Sequence, residues 1–227
     1  RAKNKKNKTM KTRIFNLVII DESGSMQSIK RQAIDSVNET FQTIRSAQTK
    51  HEDQEHYVSL VTFNDYVNIV YNCVPIEEVE NFTSENYNPD CLTALYDAMG
   101  RSLNALRRKV ADVDRVLVTI VTDGLENASK EYNSLGINSL VSELKSKGWV
   151  FAYIGANHDV ERVATKISIS NTMSFEATRE GTACMNSRLS SARERFYDHV
   201  DECCFSAERA NVNFFDDEKQ DDIDDLF

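Results

Sequence analysis

Long apolar segments alternate with segments of helical periodicity along this chain, and the alternation strongly limits its possible folds. RIFNLVII (13–20) and RVLVTIVT (115–122) are mostly apolar, as is typical of strands covered on both faces in a parallel sheet. Between them, apolar side chains recur every three or four positions, which indicates amphipathic helices. In the first such helix these side chains are Ile29, Ala33, Val37, Phe41 and Ile44. The alternation predicts an α/β fold.

The remaining segments complete the predicted sheet. HYVSLVTF and VNIVYNCV are separated by a short turn at Asn64 and Asp65, which predicts a β-hairpin. A helix is expected to start near Thr93, and WVFAYIGAN and TMSFEA are two further strand candidates. The order β-α-β-β-α-β-α-β-α-β-α predicts an open, doubly wound, Rossmann-like sheet. It should have six strands, mostly parallel, with one antiparallel edge strand and helices on both faces.

Length and charge set the expected domain boundaries. A chain of 227 residues with 41% hydrophobic content is sufficient for one sizeable core. Residues 1–12 are basic and predict a disordered arm, residues 13–205 form the predicted domain, and residues 206–227 form a predicted acidic tail. The formal net charge of −9, without a basic face rich in aromatic residues, argues against nucleic acid as a ligand.

Other classes of protein are disfavoured by what the sequence lacks. It has no apolar run long enough for a membrane-spanning helix, so we expect no membrane partner. The cysteines show no Cys-x-x-Cys pair and their number is odd, which favours reduced thiols and a cytoplasmic location. They are Cys73, Cys91, Cys184, Cys203 and Cys204. The histidines do not stand at zinc-ligand spacing from them.

Oxygen-bearing side chains follow two of the predicted strands. Asp21, Ser23 and Ser25 come after the first strand, Asp123 comes after the strand at 115–122, and Thr93 stands at a predicted helix start. Ligands of open α/β sheets bind outside the carboxyl ends of the strands, so we expect these side chains to meet there. Carboxylates and hydroxyls suit a hard cation, and the sequence therefore predicts a site for Mg²⁺ or Mn²⁺.

Neighbouring residues are weaker candidates for the same site. Gly24 allows a tight turn between the two serines, and Gly124, Glu126 and Asn127 follow Asp123 closely enough to line its rim. Each residue also has an ordinary structural interpretation. Aspartate, serine and threonine are preferred helix caps, and an aspartate followed by glycine is a common end of a strand. The complete set in this chain order favours the metal site.

The pattern Asp21-x-Ser23-x-Ser25, with Thr93 and a later Asp123 before glycine, resembles the metal-ion-dependent adhesion site (MIDAS) of von Willebrand factor A domains. The resemblance spans about residues 13–200, and TALYDAM, TDGLENASKEY and YIGANHDV resemble the bacterial, cytoplasmic type. It implies direct or nearly direct metal contacts from the two serines and Thr93. The two aspartates would act through water or through hydrogen bonds to the serines, and an Asp or Glu carboxylate of a partner protein would complete the coordination.

The resemblance also implies a class of partner, namely an ATPase of the chelatase type, a kinase or a phosphatase. An alternative is a metal-dependent phosphatase or hydrolase that uses Asp21 and Asp123 as carboxylates. Such a phosphatase expects a second aspartate where Ser23 stands, and the sequence contains no phosphate-binding loop or nucleophile elbow. We therefore expect a non-catalytic module. In a further hypothesis, the acidic tail with Leu226 and Phe227 mediates self-association by offering a carboxylate to another copy.

Overall fold

The computed structural model describes residues 11–156, 158–201, 211 and 213–215. Strands and helices alternate along the chain in the predicted order. The strands are β1 (Thr12–Asp21), β2 (Gln54–Phe63), β3 (Val67–Pro75), β4 (Arg115–Thr122), β5 (Val150–Gly155) and β6 (Asn171–Ser174). The helices are α1 (Lys30–Lys50), α2 (Leu95–Leu106), α3 (Ser134–Ser146), α4 (Val160–Lys166) and α5 (Arg179–His199).

The strands form one six-stranded sheet in the order β3-β2-β1-β4-β5-β6. Every neighbouring pair is parallel except β2 and β3, which form the predicted antiparallel hairpin at the edge. The predicted fold class is therefore confirmed. In the register of the sheet Asp21 lies opposite Phe63, and Ile20 lies opposite Val121. The ends of β1, β2 and β4 consequently open onto the same edge of the sheet.

The mostly apolar strands are explained by a hydrophobic core on each face of the sheet. Alternate residues of β1 enter opposite cores: Ile14 and Val18 contribute to the core under α1 and α5, whereas Leu17 and Ile19 contribute to the core under α2, α3 and α4. A strand covered by helices on both sides has no solvent-facing position in its centre, so it shows no polar alternation.

The C-terminal boundary lies further along the chain than predicted. Residues 206–227 were assigned to an acidic tail outside the domain, yet Asn211, Phe214 and Phe215 are buried. Asn211 Nδ2 donates to the backbone carbonyl of Trp149 (2.7 Å), and the ring centroid of Phe214 lies 6.4 Å from that of Phe196. The acidic residues that follow Phe215 dominate the local composition, so the composition of this segment does not indicate that its two phenylalanines are buried.

Several predictions concern residues outside the described part of the chain. They are the basic arm at 1–10, Cys203 and Cys204, and the acidic stretch at 216–227. Thr12 was assigned to the arm but begins β1, where its N–H donates to the carbonyl of Asp53 (2.8 Å). Cys73, Cys91 and Cys184 are free thiols. Within the described residues, no helix combines the length and apolar character that crossing a membrane requires.

Candidate metal site

The ends of β1 and β4 bring the predicted site residues to one place. Asp21 is the last residue of β1, and Asp123 directly follows β4 beside it. Asp21, Ser23, Thr93 and Asp123 are all buried, whereas Ser25 is exposed. A helix was expected to start near Thr93, and α2 begins two residues later, at Leu95.

Hydrogen bonds join both serines to the second strand end. Ser25 Oγ donates to Asp123 Oδ1 (2.5 Å), and the hydroxyls of Ser23 and Ser25 lie 3.2 Å apart. Asp123 thereby fixes the orientation of Ser25 across a separation of 98 residues in the sequence. Since the proton of Ser25 is directed to Asp123, Ser23 is the donor in the contact between the two hydroxyls, and one oxygen lone pair of Ser25 is left for another group.

Gly124 identifies the point at which the oxygens converge. A Cβ atom placed on Gly124 would lie 3.4 Å from Thr93 Oγ1, 3.7 Å from Ser25 Oγ and 4.0 Å from Asp21 Oδ2. Three oxygens from two separate segments, the one from Asp21 to Ser25 and the one that contains Thr93, therefore border the space that Gly124 leaves free. A hydroxyl and carboxylate donor set of this kind fits Mg²⁺ or Mn²⁺.

Asp21 is the most deeply buried charge of the cluster. Its Oδ1 accepts the backbone N–H of Ser23 (2.7 Å), and its Oδ2 accepts the hydroxyl of Thr122 (2.5 Å). Burial raises the pKa of Asp21 to about 6, the nearby Asp123 adds to the rise, and the hydrogen bonds from Thr122 and Ser23 limit it. Thr122 was missed by the sequence analysis, although a hydroxyl as the last residue of an apolar strand is a visible signal.

The charge of this cluster is not balanced by a neighbouring cation. Among the described residues, no lysine, arginine or histidine forms an ion pair with Asp21 or Asp123. Carboxylates buried this deeply are normally paired or bind a metal, because desolvation of a lone charge is costly. The electrostatics of the cluster therefore favour a positive ion.

Asn127 holds the segment that contains Thr93. The backbone N–H of Thr93 donates to Asn127 Oδ1 (2.8 Å), and the N–H of Asn127 donates to the carbonyl of Thr93 (3.0 Å). This reciprocal pair fixes the backbone of Thr93 beside the loop that follows β4. Asn127, predicted as a rim residue, thus acts on the position of Thr93 in this structure.

Glu126 faces the start of α2 and the following loop. Its carboxylate accepts the backbone N–H groups of Tyr96 (2.9 Å), Ala128 (2.9 Å) and Ser129 (2.7 Å), together with the Ser129 hydroxyl (2.7 Å). Both oxygens of Glu126 are therefore engaged in hydrogen bonds within the protein. The carboxylate thus joins the first turn of α2 to the loop after β4. The spacing of these residues in the sequence did not indicate this contact.

Asp97 provides a second connection between α2 and that loop. Its carboxylate accepts the backbone N–H groups of Lys130 (2.8 Å), Glu131 (2.9 Å) and Tyr132 (2.9 Å). Burial alone would raise the pKa of Asp97, but these three donors outweigh it and hold the pKa below its ordinary value. Asp97 was missed by the sequence analysis because its partners lie more than thirty residues away.

Gly24 and Glu22 join the site to the loop before Thr93. The N–H of Gly24 donates to the carbonyl of Cys91 (3.1 Å), and the N–H of Asp90 donates to the carbonyl of Glu22 (3.0 Å). The side chain of Glu22 accepts the N–H of Asn88 (2.5 Å), so it is held by this loop. The segment from Asp21 to Ser25 is thereby fixed on this side as well.

Residues 17–186 match the model of the von Willebrand factor type A domain. A comparison with curated protein sequences found no match.

Solved structures share the fold at low sequence identity. A D319A mutant of the PilB minor pilin from Streptococcus sanguinis superposes with a TM-score of 0.57 at 14% identity, covering 84% of this chain and 64% of the pilin chain. The SpRpn10 VWA domain superposes with a TM-score of 0.56 at 12% identity, covering 77% of this chain and 93% of its own. Proximal thread matrix protein 1 from the mussel byssus, with a zinc-occupied MIDAS motif, superposes with a TM-score of 0.55 at 15% identity. The match covers 81% of this chain and 46% of the mussel chain.

The chain thus spans less than two thirds of the pilin and about half of the mussel protein. At such identities these structures show a common fold, whereas the family model covers most of the sequence itself. On this evidence the chain belongs to the von Willebrand factor type A domain family.

Proposed function

We propose that this domain is a divalent-metal-dependent protein-binding module, with Asp21, Ser23, Ser25, Thr93 and Asp123 forming a MIDAS. The observation that carries the proposal is the convergence of three oxygens, from Thr93, Ser25 and Asp21, beside Gly124. The buried carboxylate among them has no cationic partner among the described residues. The proposed ion is Mg²⁺, with Mn²⁺ as the alternative. The zinc-occupied MIDAS motif of the mussel structure supports a divalent ion in this fold.

The side chains divide into two roles in this proposal. Ser23, Ser25 and Thr93 would hold the ion through neutral hydroxyl oxygens. Asp123 orients Ser25 through the 2.5 Å hydrogen bond, and Asp21 fixes the backbone of Ser23. The bound ion would supply a positive charge that is poorly neutralised by hydroxyls, so a carboxylate from outside gains more by binding to it. The partner would therefore present an aspartate or a glutamate.

The class of partner follows from the family resemblance. We propose a cytoplasmic setting of the bacterial type, with an ATPase of the chelatase type, a kinase or a phosphatase as the partner protein. Self-association through the acidic tail is a separate hypothesis, and residues 216–227 lie outside the described part of the chain.

A hydrolytic function is less well supported by the same geometry. Both oxygens of Asp21 accept hydrogen bonds from Ser23 and Thr122 in a buried position, which disfavours a nucleophile or a general base. The ring nitrogens of His158 contact the carbonyl of Ala156 (2.6 Å) and the hydroxyl of Tyr153 (3.3 Å). No hydrogen bond joins His158 to either serine within the described residues.

Metal titration tests the proposal directly. The chelator-treated domain is titrated with Mn²⁺ and with Mg²⁺ by isothermal calorimetry, beside Asp123→Ala and Thr93→Ala. Asp112→Ala, an exposed carboxylate in the loop before β4, is the matched control. We expect one site in the native and control proteins and none in the two site variants. Equal affinity in Asp123→Ala would refute the assignment.

A partner search then tests the binding function. The immobilised domain is incubated with lysate of the source cell in Mg²⁺ and in chelator, beside Asp123→Ala, and retained proteins are identified by mass spectrometry. We expect a protein that is retained only by the native site with metal. Retention that is independent of both metal and Asp123 would contradict a metal-dependent module.

A further inference from the structure

Exposed apolar side chains are grouped around the candidate metal site. Among the described residues, only six large apolar side chains are exposed, and Tyr66, Leu92 and Leu125 belong to the loops that form the site. Their exposed fractions are 78%, 52% and 56%. We call these three side chains the apolar collar.

The first two members of the collar are joined by hydrogen bonds between their loops. Tyr66 lies in the turn between β2 and β3, directly after Asp65. Asp65 Oδ1 accepts the backbone N–H of Leu92 (2.7 Å), and the carbonyl of Asn64 accepts the N–H of Ala94 (2.9 Å). The hairpin turn is thereby held against the segment that contains Thr93.

The third member of the collar, Leu125, belongs to the loop after β4. Leu125 directly follows Gly124, whose free space is bordered by Thr93 Oγ1 and Ser25 Oγ. Leu92 directly precedes Thr93 on the neighbouring loop. Exposed apolar side chains are therefore present on both loops that border the site, the loop that carries Thr93 and the loop that carries Gly124.

Acidic side chains share the hairpin side of the collar. Glu22, Asp65 and Asp90 each accept a backbone N–H, from Asn88, Leu92 and Cys91 respectively. Within the described part of the chain, none of the three forms an ion pair. Their negative charges are therefore not neutralised by a neighbouring cation in this part of the chain, and they add to a local potential that repels a ligand with several carboxylates.

We propose that the partner segment carries a single Asp or Glu flanked by large apolar residues, with Lys or Arg rather than further acids beside them. This inference rests on the proposed function, since the single carboxylate is the group that would reach the ion. The collar contacts the apolar neighbours, and the carboxylates of Glu22, Asp65 and Asp90 attract the basic residues. The surface thus selects against acidic runs, such as the one at 216–227 of a second copy.

Selection from a random peptide library tests the proposed partner chemistry. A phage-displayed nonapeptide library is panned on the immobilised domain in Mg²⁺, and bound phage are eluted with chelator. We expect enrichment of sequences with one acid, a leucine, isoleucine, phenylalanine or tyrosine within two positions, and an excess of basic residues. Enrichment of acidic runs, of single acids without apolar neighbours, or of no sequence at all by a metal-loaded domain would overturn the inference.

Substitutions in the collar give an independent test with the enriched peptides. Leu92→Ser and Leu125→Ser should each weaken peptide binding about tenfold in fluorescence polarisation, because an apolar side chain would lose its buried contact. Val113→Ser is the same kind of change at an exposed residue before the start of β4, at the other end of the strands, and it should have no effect. Unchanged binding in both collar variants would overturn the inference.

The two proposals fail in different ways. Calorimetric titration with Mn²⁺ is repeated on the collar variants, and we expect unchanged metal affinity. If the native domain binds no metal, the proposed function fails. If it binds metal but shows no preference for apolar neighbours, only the partner chemistry fails.

Discussion

The charge of Asp21 should destabilise the metal-free domain, and Asp21→Asn should therefore make that form more stable. The carboxyl is fully buried, and its pKa is raised from 3.8 to about 6. At pH 7 this raised pKa lowers the free energy of unfolding by about 3 kcal/mol, because the folded state must hold the ionised carboxylate in a buried position. Asparagine can retain both contacts: its carbonyl accepts the N–H of Ser23, and its amide donates to Thr122 Oγ1, whose proton can turn to the carbonyl of Gly124 (3.2 Å).

The sign of the pH dependence follows from the same shift. Between about pH 4 and pH 6 the folded state keeps the Asp21 proton that the unfolded chain releases, so this group lowers stability as pH rises. Urea denaturation in chelator at pH 7.5 should show Asp21→Asn to be about 2–3 kcal/mol more stable than the native protein. The difference should shrink toward pH 4.5. In saturating Mg²⁺ only the native protein should gain stability, by about 2.7 kcal/mol at one hundred times its dissociation constant.

Asp97→Asn is the matched control, since this carboxylate is also buried but accepts three backbone N–H groups. An amide has one acceptor oxygen and places an NH₂ group against a backbone donor, so this variant should lose about 1–3 kcal/mol in chelator. If Asp21→Asn is instead less stable than the native protein in chelator, the argument that burial penalises this charge is wrong.

Three further predictions concern other parts of the domain. Burial, with a smaller contribution from His51, lowers the pKa of His56 from 6.5 to about 4 against the opposing effect of Asp201, so protonation of this group should cost about 3 kcal/mol between pH 6.5 and pH 4. In urea denaturation, His56→Gln should therefore gain about 3 kcal/mol of stability relative to the native protein over this range. Phe214→Ala should destabilise the domain by about 3–5 kcal/mol by thermal or urea unfolding, because this ring is buried in the core; a loss below about 1 kcal/mol would contradict that packing. Asn127→Ala should weaken Mn²⁺ binding in calorimetry by about tenfold, because the backbone of Thr93 loses its partner; equal affinity would show that Thr93 is fixed without Asn127.

The sequence predicted the fold class well because its signals are local. The mostly apolar β1 and β4 follow from burial on both faces, and the hairpin follows from two β-rich segments around a short turn. The residues of the candidate site were identifiable because each stands at the end of a strand or near the start of a helix. Their assignment as metal ligands remains a prediction that the proposed titrations test.

What the sequence could not predict depends on contacts between distant residues. Asp97, Glu126 and Asn127 join α2 to the loop after β4 across about thirty residues or more, and no spacing rule identifies such partners. Asn211 and Phe214 were assigned to the tail because the acidic residues after them dominate the composition. In both cases the decisive interaction is formed only once the sheet is assembled.

The two titratable groups with opposite effects connect the stability of the domain to its proposed function. As pH rises from 4 to 6, ionisation of Asp21 lowers stability while deprotonation of His56 raises it, so the native protein should show little net change over this range. Asp21→Asn should leave only the rise in stability with pH that His56 causes, and His56→Gln should leave only the fall that Asp21 causes. A bound cation would relieve only the destabilising effect of the Asp21 charge, because His56 lies near the beginning of β2, away from the strand ends that form the site. Mg²⁺ should therefore raise stability above pH 6 far more than at pH 4, whereas a cation bound elsewhere on the surface would leave the Asp21 slope in place.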